Sequence, residues 1–156
     1  MNQQYIKIDL PLNGVEYDYT IVTPVATLID VPMYSKTPFE WYLELDLTQI
    51  DCVAGTYCIR KIDRSTKSVE NIIIEIVFRG TEEEKSKYAD RYIRLVSRCD
   101  EKFAQDNMEK LLKMKSAALN SDTKTFNKYM KSMEIKDPQI EIILNTMRLD
   151  KTFNMP

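Results

Sequence analysis

The sequence changes character at Arg79-Gly80. Residues 69–78, which precede it, form the most β-branched run in the chain, with isoleucine at positions that alternate between both faces. Such a run predicts a strand covered on both faces, near the centre of a sheet. Thr81 and Glu84, which follow, have the spacing of a capping box that begins a helix. We therefore predict strands before this point and helices after it.

The predicted fold class is α+β. Residues 1–80 are expected to form an antiparallel β-sandwich or rolled sheet, because several short strand patterns follow one another with short connections. Residues 81–156 are expected to form a bundle of three to four helices, since apolar residues recur there at steps of three and four. Only two residues separate Phe78 from the first helix, so we expect both halves to share one core.

The clearest strand pattern is Phe39–Leu47, in which apolar and polar residues alternate. We expect Trp41, Leu43, Leu45 and Leu47 to form the inner face of the sheet. We also predict strands at Tyr5–Leu10, Val15–Ile21 and Thr56–Ile62, a short or edge strand at Val25–Val31, a loop at Met33–Pro38 and a turn at Asn13-Gly14.

The first helix, if it were unbroken, would be longer than a compact chain of this size is wide. An unbroken helix from Glu82 to Leu119 would be about 57 Å long, whereas a compact chain of this size is roughly 39 Å across. We predict a break at residues 105–107, because Asp106 with Glu109 makes a second capping pattern. Two more helices are expected, the last of them starting at Asp137-Pro138, followed by a tail at residues 150–156 from which Phe153 and Met155 dock.

The composition excludes most common catalytic chemistry. The chain has no histidine and only three glycines, so it lacks the residues for histidine-based catalysis, most catalytic zinc sites and phosphate-binding loops. Two carboxylate pairs, Glu16 with Asp18 and Glu44 with Asp46, have a spacing that suits acid–base work or Mg²⁺. The ordinary interpretation is the solvated face of a sheet. We predict no enzyme, no cofactor and no metal.

Three cysteines and the absence of targeting signals bear on location. Cys52, Cys58 and Cys99 are odd in number and match no metal or redox spacing, which fits a reducing compartment. We expect Cys58 and Cys99 to be small buried hydrophobes. The first residues show no signal-peptide pattern, and no apolar run is long enough to span a membrane. We predict a cytoplasmic protein, with a virion as a further location.

Two charged surfaces are the candidate partner-binding residues. Five basic residues of the first helix fall within a narrow arc, beside the apolar stripe, and suit an acidic protein surface or phosphates. Their ordinary interpretation is a solvated helix face, since Glu83–Lys87 and Asp90–Arg94 are helical charge pairs. The outward face of the clearest strand is acidic. The candidates are Lys87, Arg91, Arg94, Arg98, Lys102, Glu40, Tyr42, Glu44 and Asp46.

The function predicted from these patterns is a non-catalytic protein–protein interaction subunit of a larger assembly, such as a viral or phage structural component. Its partners would be proteins, including copies of itself joined through the two charged surfaces. One alternative is a small inhibitor or adaptor that binds a host protein, and a second is a nucleic-acid-binding accessory protein. Five methionines between residues 108 and 147 favour core packing, with a groove for a partner helix as the other interpretation.

Overall fold

The computed structural model describes residues 5–10, 17–25, 27–29, 33–37, 40–49 and 52–154. The chain divides into two compact units, Asn2–Ile76 and Val77–Pro156, called here the β unit and the helical unit. In the described residues the β unit contains seven strands and the helical unit five α-helices, so the α+β class is confirmed. The shared core stays a prediction.

The strands form two antiparallel sheets. Their bounds are β1 (Tyr5–Leu10), β2 (Tyr17–Val22), β3 (Thr27–Ile29), β4 (Met33–Thr37), β5 (Glu40–Asp46), β6 (Gly55–Asp63) and β7 (Val69–Ile76). One sheet has the order β1-β5-β4 and the other β3-β2-β6-β7. Antiparallel pairing is thereby confirmed, as are the predicted strands that correspond to β1, β2, β5 and β6 and the short strand β3 at the sheet edge.

Two sequence predictions for the β unit are wrong. The segment predicted as a loop contains β4, which pairs with β5 and takes its conformation from that neighbour. The strand predicted at the centre of a sheet, β7, lies at the edge, and Ile73 on it is 60% exposed. A β-branched run favours an extended chain but does not determine how many neighbours the strand has.

The turn at Asn13-Gly14 and the side chains of Trp41, Leu43 and Leu45 lie outside the described residues, so these predictions stay open. Leu47 is buried. Since β1 pairs with β5, and β2 with β3 and β6, the strands on either side of the predicted turn belong to different sheets.

Alternation along β2 and β6 builds the described core of the β unit. Tyr19 and Ile21 of β2 are buried, as are Tyr57 and Ile59 of β6. The hydroxyl of Tyr57 donates a hydrogen bond of 2.7 Å to the carbonyl oxygen of Val53. The hydroxyl of Tyr19 is equally shielded from water but has no hydrogen-bond partner in the described structure. The two tyrosines therefore form a natural comparison.

The helical unit begins at the predicted capping box, because the Thr81 hydroxyl accepts from the Glu84 amide and the Glu84 carboxylate accepts from the Thr81 amide. Its elements are α1 (Glu82–Cys99), α2 (Glu101–Asp106), α3 (Met108–Leu119), α4 (Thr123–Ser132), α5 (Pro138–Arg148) and a 3₁₀ helix (Lys151–Asn154). No helix in the described ranges is long and apolar enough to cross a membrane.

The predicted helix break is confirmed at Asn107, although that residue, and not Asp106, precedes α3. Its amide side chain donates to the carbonyl oxygen of Phe103. A second break at Asp100 was not predicted, and it makes five helices where three to four were expected. The Asp100 carboxylate accepts from the Phe103 amide and so starts a new helix directly after the first.

Changing Tyr57 to Phe is expected to lower the free energy of unfolding by roughly 1–3 kcal/mol, because the buried Val53 carbonyl loses its donor. Tyr19→Phe is the matched control: it removes a buried hydroxyl without a partner and is expected to be neutral or slightly stabilising. Urea denaturation of the two variants measures both effects. Equal destabilisation by the two changes would contradict the assignment.

Candidate protein-binding surfaces

The predicted basic residues occupy two helices. Lys87, Arg94 and Arg98 are exposed on α1, whereas Lys102 lies on α2, beyond the break at Asp100. Arg91 is half-buried, with its guanidinium over two core rings at 5.4 and 5.2 Å. Lys87 lies 3.9 Å from the Glu83 carboxylate. Thus three of the predicted basic residues are exposed on α1, and Arg91 contributes to packing.

The acidic candidates lie on β5, whose backbone is described throughout. The side chains of Glu40 and Glu44 lie outside the described residues. Tyr42 and Asp46 are half-buried. The Asp46 carboxylate accepts hydrogen bonds of 2.9 and 2.6 Å from Thr48 and one of 3.1 Å from Gln49, so it caps the turn after β5. Partner binding by these residues stays a prediction.

The burial predicted for Cys99 is wrong, because its side chain is exposed. Cys99 is the last residue of α1, one position before the break, where the apolar stripe no longer faces the core. Cys58 is half-buried on β6. No group of three or more Cys, Asp or Glu side chains in the described residues is placed to bind a metal ion.

A buried carboxylate organises the C-terminal end of the helical unit. Asp150 is 4% exposed. Its Oδ2 accepts hydrogen bonds of 2.5 Å from both Tyr88 and Tyr92 of α1, and its Oδ1 accepts one of 2.8 Å from the Thr152 amide. Charge-assisted bonds of this kind are stronger than neutral ones. They fix the 3₁₀ helix against α1.

The segment predicted as a tail is thus part of the packed unit. Thr152 and Phe153 are buried, and the Phe153 ring lies 5.8 Å from that of Tyr88. The Thr152 hydroxyl accepts from the Phe78 amide at 3.4 Å. Docking of Phe153 is confirmed, while Met155 lies outside the described residues. The tail prediction failed because two helical tyrosines supply donors that the local sequence does not show.

Between α4 and α5 lies a groove of about 450 Å³, named here the α4–α5 groove. Apolar and polar residues from α4, the connecting segment and α5 form its walls. Its lining residues are Asn127, Met130, Lys131, Met133, Ile135, Glu141, Asn145 and Arg148.

Arg148 is the residue that connects this groove to the interior. Its side chain also borders a cavity of about 60 Å³, which Asp150 and Phe153 line as well. Its Nε is shielded from water without a hydrogen-bond partner in the described structure. One Nη donates at 3.3 Å to the Asn145 side chain. A buried guanidinium donor without an acceptor is costly, so this Nε weakens the packing around Arg148.

The exposed side of α4 is strongly basic. Lys124, Lys128 and Lys131 lie at steps of four and three, which places them on one helix face, and all three are exposed. The helix contains no acidic residue. Hydrogen bonds from Thr125 lower the pKa of the neighbouring Asp122 carboxyl, and the charge of Lys124 lowers it further. The groove and this lysine face are adjacent because Lys131 belongs to both.

Sequence reasoning missed Arg148 and Asp150, and it named the methionines without locating their groove. A local signal was present: Asp150 lies two residues after the end of α5 and three residues before the buried Phe153. No local pattern indicates the Arg148 position, because the groove and the cavity that it borders are lined by residues up to 31 positions earlier in the chain.

Changing Tyr92 to Phe is expected to cost about 1.5–3 kcal/mol at neutral pH, the usual contribution of a hydrogen bond to a charged acceptor. Burial, with Tyr88 and Asp150 nearby, raises the pKa of Tyr92 well above its usual value. The folded state then retains a proton that the unfolded chain releases above about pH 10. The stability that the Tyr92 hydroxyl contributes is therefore complete below about pH 10, and it decreases as pH rises from there through the folded-state pKa.

The stability gap between the unmodified protein and Tyr92→Phe should consequently narrow as pH rises beyond about 10. Urea denaturation over a pH series measures the gap. A gap that stays constant through the alkaline range would contradict the role assigned to the Tyr92 hydroxyl.

Comparison of the chain with protein-family models, with curated proteins and with solved structures finds no match. The function is therefore inferred from the residues and their geometry.

Proposed function

We propose that this protein is a non-catalytic protein–protein interaction subunit, and that its helical unit binds an acidic, amphipathic segment of a partner in the α4–α5 groove. The observation that carries the proposal is that Arg148, whose shielded Nε has no acceptor in the described structure, is one of the residues that line this groove. Arginine binds carboxylates with two parallel hydrogen bonds, so a partner carboxylate is the ligand that the Arg148 guanidinium favours.

The apolar residues that line the groove suit a helical or extended segment of a partner that carries one large apolar side chain. Met130, Met133 and Ile135 are among the residues that line the groove. Methionine side chains are flexible and polarizable, so they adapt to different apolar partners. Grooves of this type bind an amphipathic helix through its apolar face.

The charge around the groove supports an acidic partner. Lys131 and Arg148 line it, against one acidic residue, Glu141. The lysine face of α4 continues the positive charge beyond the groove. Complementary charge of this kind accelerates association and sets the orientation of the bound segment.

We propose further how the two sheets pack and where the subunit belongs. The two sheets of the β unit are proposed to pack as a sandwich or one rolled sheet, which the burial of Ile21, Ile59 and Leu47 supports. The subunit is proposed to belong to a larger assembly in the cytoplasm or in a virion. An inhibitor or adaptor for a host protein would use the same groove.

Nucleic acid binding is the second candidate function, and the lysine face of α4 is the specific observation that favours it. Tyr129 lies beside Lys113 of α3 and Lys128 of α4, whose ammonium groups are 5.5 and 5.8 Å from its ring centre. Lysines with an aromatic residue suit phosphates and bases. The methionine-lined groove has no role in that candidate, which is why we favour the protein partner.

The test uses a designed helical peptide with leucine on one face and glutamate on the other, and a second peptide with lysine replacing glutamate. The acidic peptide should shift the NMR signals of Met130, Met133 and Arg148, and the lysine peptide should not. Arg148→Glu should weaken binding about tenfold or more, because the carboxylate then meets a like charge.

Arg98→Glu is the matched control, because it makes the same charge change at an exposed position of α1. It should leave peptide affinity nearly unchanged, and Arg148→Gln provides a neutral variant in case Arg148→Glu does not fold. If Arg98→Glu weakens peptide binding as much as Arg148→Glu does, the basic residues of α1 are the binding site instead of the groove. Salt-dependent binding of a DNA oligonucleotide at the lysine face, with no response to either peptide, would support the second candidate.

A further inference from the structure

β7 ends its sheet in a way that leaves it open to another strand. In the order β3-β2-β6-β7 it pairs with β6, and no described strand lies on its other side. The pairing with β6 runs over eight consecutive residue pairs, from Ile62–Val69 to Gly55–Ile76. That register contains no shift, whereas β4 has one between Ser35 and Thr37. A straight edge of this length is a template for a further strand.

The sequence of β7 lacks the usual protection of an edge. Proteins protect edges with lysine, proline, bulges or short strands, so that chains do not pair by accident. Val69–Ile76 contains neither lysine nor proline, and it has isoleucine at four of eight positions. β7 thus has none of these four devices, and its charged residues are Glu70 and Glu75 alone, so its edge is open to pairing.

The exposed face of β7 is apolar at two positions. Val69 is 54% exposed and Ile73 is 60% exposed, and both lie on the face shared with Asn71. On the opposite face Ile72 and Ile74 are half-buried, and Ile76 is buried. A partner strand that continues the sheet would therefore bring its own exposed apolar residues beside Val69 and Ile73.

The hairpin between β6 and β7 determines which backbone groups face outward. The Asp63 amide donates at 3.0 Å to the carbonyl oxygen of Ser68, so the backbone groups of Ser68 point toward β6. Antiparallel ladders alternate, so even-numbered residues of β7 point toward β6 and odd-numbered ones point away. The backbone groups of Val69, Asn71 and Ile73 therefore face the open edge.

A second copy of the chain fits this edge through its own β7. A two-fold axis perpendicular to the sheet keeps the two exposed faces on the same side, and it requires odd residues to oppose odd residues. Centred on Asn71, the pairing sets Asn71 opposite Asn71 and Val69 opposite Ile73 of the second copy, in both directions. Each of these three pairs exchanges two backbone hydrogen bonds.

Charge supports the same register. Glu70 would oppose Ile72 of the second copy, and Glu75 would oppose Lys67 in the turn. A shift to the register that sets Glu70 opposite Glu75 places like charges together and also opposes an exposed face to a covered one. The favoured arrangement thus avoids both penalties.

We propose that two copies of this protein associate through β7, antiparallel and centred on Asn71, to form one continuous eight-stranded sheet. The partner is another copy of this chain, and the proposal is independent of the α4–α5 groove. Backbone hydrogen bonds supply the affinity, and the two Val69–Ile73 contacts select the register.

Sedimentation velocity over a concentration series tests the proposal. The unmodified protein should change from monomer to dimer as concentration rises. Ile73→Lys should weaken dimerisation at least tenfold, because it places a charge against the Val69 side chain of the second copy. Leu112→Lys, at an exposed apolar position of α3, is the matched control and should dimerise normally.

A disulfide trap tests the register. Asn71→Cys, made together with Cys99→Ser to remove the exposed native thiol, should give a covalent dimer on mild oxidation, since paired residues lie at a distance that a disulfide spans. Circular dichroism checks that each variant is folded. A monomer at every concentration, or a dimer that Ile73→Lys leaves intact, would overturn the proposal. If the Asn71→Cys variant dimerises but forms no disulfide on oxidation, the proposed register is wrong.

Discussion

The end of the helical unit depends on hydrogen bonds to one buried carboxylate, that of Asp150. A charged group in the interior is tolerated only when donors surround it, and here two tyrosine hydroxyls and a backbone amide do so. Loss of any donor leaves part of that charge unpaired. Because Arg148 lies only two residues before Asp150, the same anchor fixes the end of α5 and with it one wall of the α4–α5 groove.

Features encoded within a few residues were predictable from the sequence. The capping box of α1, the Asp137 cap before Pro138 and the break at Asn107 all depend on local spacing. The position of a strand within its sheet was not predictable, because it depends on partners far along the chain. The isoleucine-rich β7 is an edge strand, whereas β5, with its polar alternate residues, lies between two neighbours.

The candidate site follows the same division. The composition predicted neither histidine-based catalysis nor a phosphate-binding loop, and helical spacing identified the basic residues of α1. Arg148 was not, since its shielded Nε results from three segments that meet in the folded unit. Likewise, half-burial of Arg91 follows from the positions of Phe78 and Tyr88. Sequence spacing places a residue on a face, while tertiary packing determines whether that face meets solvent.

The two edges of the four-stranded sheet differ in a way that limits how assembly proceeds. β3 has three residues and follows Pro24, so it offers few backbone groups to a further strand. β7 offers a full straight edge. Pairing of β7 with β7 would use the long edge of this sheet in each copy, and a two-fold contact of this kind closes at two copies. A head-to-tail contact between charged surfaces would instead continue into a ring or filament. The sheet geometry therefore favours a closed dimer as the basic unit of any larger assembly.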